Sequence, residues 1–195
     1  MNEKTEELMY DFIAFEDYPE PNTLSFDAFH ALMDVCFRHA TFFSMNRSRW
    51  GEISNDASLE VELAPFLDRR IETLVWYGYD FRNPPEGCYG DVHAMLYRAE
   101  PAAKEILLRY FDDIFLRKFS KGDHCTDLGL TLEDLCFFHQ TKLFLGTISH
   151  EYMLSVEPIH KELTAFLQTH GKWKLQSPRE TIATVIDLAD YEMKP

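Results

Sequence analysis

The pair His150-Glu151 carries side chains that could do hydrolytic chemistry. In an H-E-x-x-H motif, two histidines four residues apart bind zinc and the glutamate acts as the general base. Residue 154 is leucine, however, and the next histidine is His160, beyond a proline. Residues 143–148 also favour a strand over the helix that such a motif requires. We therefore interpret the pair as the polar end of a strand.

Other possible metal ligands are scattered along the chain. His30, Cys36 and His39 fall on one predicted helix, but at 3.6 residues per turn His30 and Cys36 lie on different faces. His124 and Cys125 lie in a polar segment. Structural zinc sites use closely paired Cys or His residues, and the sequence has no such pairs. We expect no metal and no cofactor, and these histidines are interpreted as ordinary buried or surface residues.

Cys88 is the remaining candidate for covalent chemistry. It lies in the glycine-containing segment 86–91, and His93 follows shortly after it. A reactive cysteine requires a nearby histidine and usually a helix N-terminus, whereas glycines in a loop can simply permit tight turns. No catalytic residue is assigned. A small enzyme using Cys88 and His93, or a histidine metal site, remains the alternative function.

The charge balance restricts the possible partners. The chain has 33 acidic and 19 basic residues, which gives a formal net charge of -14. This charge would repel nucleic acids and anionic membranes, and it would accelerate the encounter with a basic protein. The same charge is also typical of an acidic protein that is merely soluble. We expect a basic protein partner, no nucleic acid and no membrane.

The first twelve residues are acidic and have no apolar signal core. We therefore expect a cytoplasmic protein with reduced cysteines, of which Cys36 and Cys136 are expected in the core. Apolar residues make up 46% of the chain, which is enough to build a large core.

Carboxylates flanked by aromatic side chains are typical anchors for a basic partner. Glu60 and Glu62 are predicted to project from one face of a strand, and Asp112 is predicted to face solvent from a helix. The predicted partner-binding residues are Glu60, Glu62, Asp80, Glu86, Asp91, Asp112, Tyr79 and Tyr89. The alternative is a solvated acidic face above aromatic core residues.

Apolar periodicity predicts the elements that must position these residues. Helices are predicted at 3–15, 26–39 and 101–119, from residue 158 to Gly171, and from a capping signal at 177–180 onward. Strands are predicted at 41–50, 59–63, 92–98, 135–139, 143–149 and 152–157. Residues 65–77 fit a helix or a strand equally well.

This order predicts an α+β fold, because helices come first and last and strands lie between them. We expect a single domain over residues 1–195, with a mostly antiparallel sheet. It would comprise a helical part at 1–40, a sheet-containing core with one long helix at 41–157, and C-terminal helices at 158–195.

The segment at 135–138 (LCFF), the segment at 143–151 (LFLGTISHE), and the strand and helix that follow resemble immunity proteins of bacterial toxin systems. The likeness covers residues 135–167 and contains no catalytic motif. It implies a small acidic cytoplasmic protein that binds one cognate toxin and occludes its active site.

Overall fold

The computed structural model describes residues 9–12, 21–48, 56–83, 90–119, 125–126, 128–176 and 186–191, with only the backbone of 9–12, 126 and 175–176. The α-helices are α1 (Asp27–His39), α2 (Ser58–Leu63), α3 (Pro101–Tyr110) and α4 (Lys161–Thr169). The strands are β1 (Met9–Phe12), β2 (Phe42–Arg47), β3 (Leu67–Thr73), β4 (Val75–Trp76), β5 (Tyr79–Asp80), β6 (Val92–Arg98), β7 (Lys118–Phe119), β8 (Cys125–Thr126), β9 (Leu132–His139), β10 (Lys142–Ile148), β11 (Met153–Val156) and β12 (Trp173–Gln176). Short 3₁₀ helices occupy Ala64–Phe66, Ser149–Glu151 and Leu188–Tyr191.

Eight of these strands form one sheet in the order β12-β1-β11-β10-β9-β2-β6-β3. Every neighbouring pair in it is antiparallel. The hairpin β4–β5 and the pair β7–β8 lie outside it. This arrangement confirms the predicted single-domain α+β fold with an antiparallel central sheet.

The two faces of the sheet bury separate apolar clusters. On the helical face, Phe29, Leu32, Met33 and Cys36 form the inward stripe of α1, at the spacing that a helix requires. The second face is covered by Trp76 and Tyr77 of the β4–β5 hairpin and by the C-terminal segment at Ile186 and Leu188. Side chains alternate between these two layers along the central strands, except where register shifts interrupt β9 and β10.

Tyr77 approaches the sheet closely at Gly146 in β10. A Cβ atom at this glycine would lie 2.8 Å from the tyrosine ring, inside the normal contact distance. Gly146, in the predicted strand at 143–149, therefore leaves the space that the ring of Tyr77 occupies.

The strongest sequence patterns give the right elements. The predictions at 26–39, 41–50, 92–98, 135–139, 143–149 and 152–157 are confirmed by α1, β2, β6, β9, β10 and β11, and α4 confirms the helix after residue 158. Most of the undecided segment 65–77 is strand.

Two predictions were wrong because local spacing fitted both helix and strand. Residues 59–63 form helix α2, in which Leu59 and Leu63 are buried one turn apart while Val61 is 69% exposed. Glu60 and Glu62 therefore do not share a strand face. At the N-terminus, residues 9–12 form strand β1 and not part of a helix.

The predicted helix at 101–119 ends early. Helix α3 stops at Tyr110, because Phe111 is extended and the carboxylate of Asp113 accepts the next free N–H groups, those of Phe115 and Arg117. Residues 111, 114 and 115 are buried as predicted, but from a turn. In the C-terminal part, residues 173–176 are a strand, and the predicted helix over 177–185 lies outside the described residues.

The helices that the structure describes are too short and insufficiently apolar to cross a membrane.

Candidate functional site

One end of the helical face is left open on strands β2, β6 and β3. Met45, Met95 and Tyr97 point into the helical-side cluster, and Ile71 and Ala94 point into the other one. Strand alternation then places Arg47, Arg70, Glu72 and His93 on the helical side, and Ser48 and Asp91 line the same pocket as Arg47 and His93. We call this surface the open face, and its residues are Arg47, Ser48, Arg70, Glu72, Asp91 and His93.

The outer part of the open face is a pocket of about 370 Å³, lined by Arg47, Ser48, Asp91 and His93. His93 Nε2 lies 3.3 Å from Asp91, and its Nδ1 lies 3.6 Å from Glu72 on the neighbouring strand. Glu72 and Asp91 are 71% and 47% exposed. Neither carboxylate forms an ion pair with a lysine or arginine among the described residues, so both remain available to an incoming cation.

The inner part is a pocket of about 210 Å³ between helix α2 and the strands. Arg47 separates the two pockets and donates two hydrogen bonds to Glu60, at 2.8 and 3.1 Å. Arg70 and Tyr97 also line this pocket. The open face thus combines exposed carboxylates, two arginines and a partly apolar depression.

The structure brings two of the predicted partner-binding residues to this surface. Asp91 belongs to the open face, and Glu60 lines its inner pocket from α2. Glu62 lies elsewhere on α2, where Arg109 and Tyr110 of α3 donate to its carboxylate. Glu86 and Tyr89 lie outside the described residues.

The other three predicted residues have internal partners. Hydrogen bonds from Arg82 lower the pKa of Asp80 to about 2. Asp112 does not face solvent from a helix, because its carboxylate accepts hydrogen bonds from Lys118 Nζ and the Phe119 N–H, both at 2.9 Å. Tyr79 is on the second face, and its hydroxyl donates to Asp134 at 2.6 Å.

Asp134 is a buried carboxylate that the sequence patterns did not single out. It is the extra residue of a β-bulge opposite Met45 and Asn46, and it has a φ of 55°. Its carboxylate accepts hydrogen bonds from Tyr79, from Asn46 at 3.1 Å and from the Ser149 N–H at 2.7 Å. Burial raises the pKa of Asp134, and these hydrogen bonds oppose that effect. Because its carboxylate oxygens already accept these hydrogen bonds, we assign Asp134 a structural role beneath the open face.

The possible metal ligands His30, Cys36 and His39, which we interpret from the sequence as ordinary residues, do not converge. His30 is exposed, while Cys36 is buried in the core and burial raises the pKa of its thiol. Cys136 is also buried, as predicted, whereas Cys125 is exposed and His124 lies outside the described residues. Over the described ranges, no group of three or more His, Cys, Asp or Glu side chains is arranged to hold a metal ion.

His39 instead belongs to a histidine cluster between α1, β9 and α4. Its ring stacks on His160 at 3.8 Å between centroids, and His139 meets His160 edge-on at 5.3 Å. Glu162 accepts a hydrogen bond from His39 at 2.9 Å. Nε2 of His160 is buried without a hydrogen-bond partner among the described residues. Burial first, and then the neighbouring His39 and His139, lowers the pKa of His160.

Acidification should therefore destabilise the protein through His160. A histidine whose pKa is lower in the folded state stabilises the fold fully above its ordinary pKa of about 6.5, and this contribution is lost as pH falls. We expect His160→Gln to flatten the decrease in unfolding free energy between about pH 7.5 and about pH 5, measured by urea denaturation. His30→Gln, at an exposed position, is the control. Equal pH dependence in wild type and both variants would contradict this role.

His150 and Glu151 occupy the 3₁₀ turn between β10 and β11, 3.7 Å apart and both exposed. This position confirms their interpretation as the polar end of a strand. For the alternative pair, Cys88 lies outside the described residues, and His93 contacts the two carboxylates described above.

No protein-family model matches the chain, and neither the curated proteins nor the solved structures searched include a significant match.

The sequence patterns did not identify Arg47, Arg70 and Glu72 as residues of the site. The signal for Arg70 and Glu72 was the alternation around Ile71 in residues 69–73 (RRIET), which places the charged residues on one side of a strand. Because residues 65–77 fit a helix or a strand equally well, this alternation does not by itself establish a strand. No local signal identified Arg47, since its neighbours on β6 and α2 are distant in sequence.

Proposed function

We propose that this protein binds a basic protein partner through its open face. The observation that carries the proposal is the pair of exposed carboxylates around His93: Glu72 lies on β3, and Asp91 immediately precedes β6. Their charges are not neutralised by lysine or arginine within the described structure. An arginine or lysine of the partner would find two acceptors there, beside a pocket that can take its aliphatic stem.

The overall charge supports the same proposal. A formal net charge of -14 attracts a basic protein over a distance set by the ionic strength and raises the rate of productive encounters. Arg47 and Arg70 restrict where lysine and arginine side chains of the partner can bind, because positive charges placed opposite each other repel. The open face would thereby select one orientation of the partner.

We infer further that the partner is a toxin domain, and that binding occludes its active site in the cytoplasm. This inference rests on the resemblance of residues 135–167 to immunity proteins and on the acidic charge. In the structure this region contains β9, β10, β11 and most of α4. These elements lie next to the open face through the pairing of β9 with β2.

The test uses the product of the neighbouring reading frame as the binding partner, because toxins and their immunity proteins are encoded together. We expect tight one-to-one binding, with an association rate that falls as salt is raised from about 50 mM to about 500 mM. The double variant Glu72→Lys/Asp91→Lys should lower the association rate about tenfold or more, measured by stopped-flow fluorescence.

The matched control is Glu105→Lys/Glu151→Lys, which reverses the same number of charges at exposed residues outside the open face. It should alter the association rate far less than the Glu72/Asp91 variant. A comparable loss in all charge-reversal variants would remove the open face from the proposal. Failure of the neighbouring product to bind at all would overturn the toxin assignment.

A further inference from the structure

The inner pocket contains a buried hydroxyl group that lacks a partner. Tyr97 has no exposed surface, its ring stacks on Phe43 at 5.1 Å, and its hydroxyl makes no hydrogen bond with any described residue. Buried hydroxyls are almost always hydrogen-bonded, because leaving one unsatisfied is costly. An unsatisfied donor that lines a pocket points to an acceptor supplied by a ligand.

Three charged side chains line the inner pocket together with Tyr97. Burial raises the pKa of this phenol most strongly, the charge of Glu60 adds to the increase, and the charges of Arg70 and Arg47 oppose it. These three side chains line the same pocket. The shared lining and these charge effects together place Tyr97 beside the charged side chains of the pocket.

Arg70 and Arg47 are not equivalent as ligand-binding groups. The guanidinium of Arg47 is already bound to both oxygens of Glu60. Arg70 is exposed and forms no ion pair among the described residues, and it pairs with Met95, two residues before Tyr97 on β6. The pocket thus offers one free guanidinium and one hydroxyl donor, which match the two oxygens of a carboxylate.

The rest of the pocket is apolar and small. Val61, Leu67 and Met95 contribute to its walls. Its volume of about 210 Å³ exceeds that of an apolar cavity of about 150 Å³ that holds a benzene molecule. A phosphate group would leave these apolar walls uncovered, whereas a carboxylate on a compact hydrocarbon body would cover them.

We propose that the inner pocket binds a small organic carboxylate with an apolar body, whose oxygens accept hydrogen bonds from Tyr97 and Arg70. This site is distinct from the two carboxylates that carry the proposed function, because it requires Arg70 and Tyr97 and not Glu72 or Asp91. It adds a small-molecule ligand to the protein partner proposed above.

Isothermal titration calorimetry with benzoate as the probe tests the site. We expect saturable binding of benzoate and binding at least about tenfold weaker for benzamide, which has the same shape without the charge. Arg70→Met should weaken benzoate binding about tenfold or more, and Tyr97→Phe about fivefold. Arg82→Met, which removes an exposed arginine bound to Asp80, should leave it unchanged.

The free protein gives a second readout. Because the hydroxyl of Tyr97 has no partner in the structure, Tyr97→Phe should not lower the melting temperature. The proposal is overturned if benzoate shows no saturable binding in the low-millimolar range. It is also overturned if benzamide binds equally well, or if Arg70→Met and Tyr97→Phe leave the affinity for benzoate unchanged.

Discussion

Replacing Arg117 with methionine is expected to destabilise the protein by about 3–5 kcal/mol, because it leaves the carboxylate of Asp113 buried without its counter-charge. Asp113 has no exposed side-chain surface, and Arg117 is 7% exposed. Nε of Arg117 donates to Asp113 at 2.6 Å, and its guanidinium also lies over the rings of Phe119 and Tyr152.

The same carboxylate organises the turn after α3. It accepts the N–H groups of Phe115 and Arg117, and Ser25 and Asn22 of the segment before α1 reach it as well, at 3.5 and 3.4 Å. Loss of Arg117 should therefore loosen two segments that are distant in sequence. Urea denaturation gives the free energy of unfolding for this comparison.

Two further variants make this experiment decisive. Arg109→Met removes an exposed arginine that pairs with Glu62, and it should have a much smaller effect. The double variant Asp113→Leu/Arg117→Met removes both buried charges and should be more stable than Arg117→Met alone. If the double variant were less stable than Arg117→Met, the cost would lie in the lost hydrogen bonds and not in the unpaired charge.

Asp134→Ala is expected to destabilise the protein by about 3 kcal/mol or more, because three donors, one buried and two partly buried, lose their acceptor at once. These donors are the Tyr79 hydroxyl, the Asn46 amide and the Ser149 N–H. Alanine also tolerates the positive φ of this bulge less well than aspartate does.

Asp134→Asn separates these two effects. Asparagine accepts the left-handed conformation but replaces one acceptor oxygen with a donor, so we expect an intermediate loss of stability. Asp68→Ala, at an exposed carboxylate on β3, is the control for loss of negative charge. If Asp134→Ala proved no more destabilising than Asp68→Ala in urea denaturation, the network would contribute little to stability.

The success of the sequence predictions depended on how strongly each pattern was determined locally. The buried stripe of α1 and the apolar runs of β9 and β10 allow only one type of element, and these were predicted correctly. Residues 59–63 alternate polar and apolar side chains, but Leu59 and Leu63 are also one helical turn apart. The exposure of Val61 decides between the two, and it depends on contacts outside the segment.

The region after α3 shows a different limit. The apolar spacing through Phe111, Ile114 and Phe115 correctly predicted burial. It could not predict the end of the helix, after which the carboxylate of Asp113 accepts the N–H groups of Phe115 and Arg117. In the same way, Glu72, Asp91 and His93 come together only after β3 and β6 pair. A site that is assembled from neighbouring strands has no signature within any one of them.

The position of β1 has a consequence for how the chain assembles. Residues 9–12 pair on one side with β11 and on the other with β12, so the first described strand is enclosed by the last two strands of the sheet. During synthesis, β1 leaves the ribosome long before either partner exists. Until then both edges of β1 stay unpaired, and closing so long a loop slows folding. Completion of the sheet must therefore wait until residues 173–176 have been made.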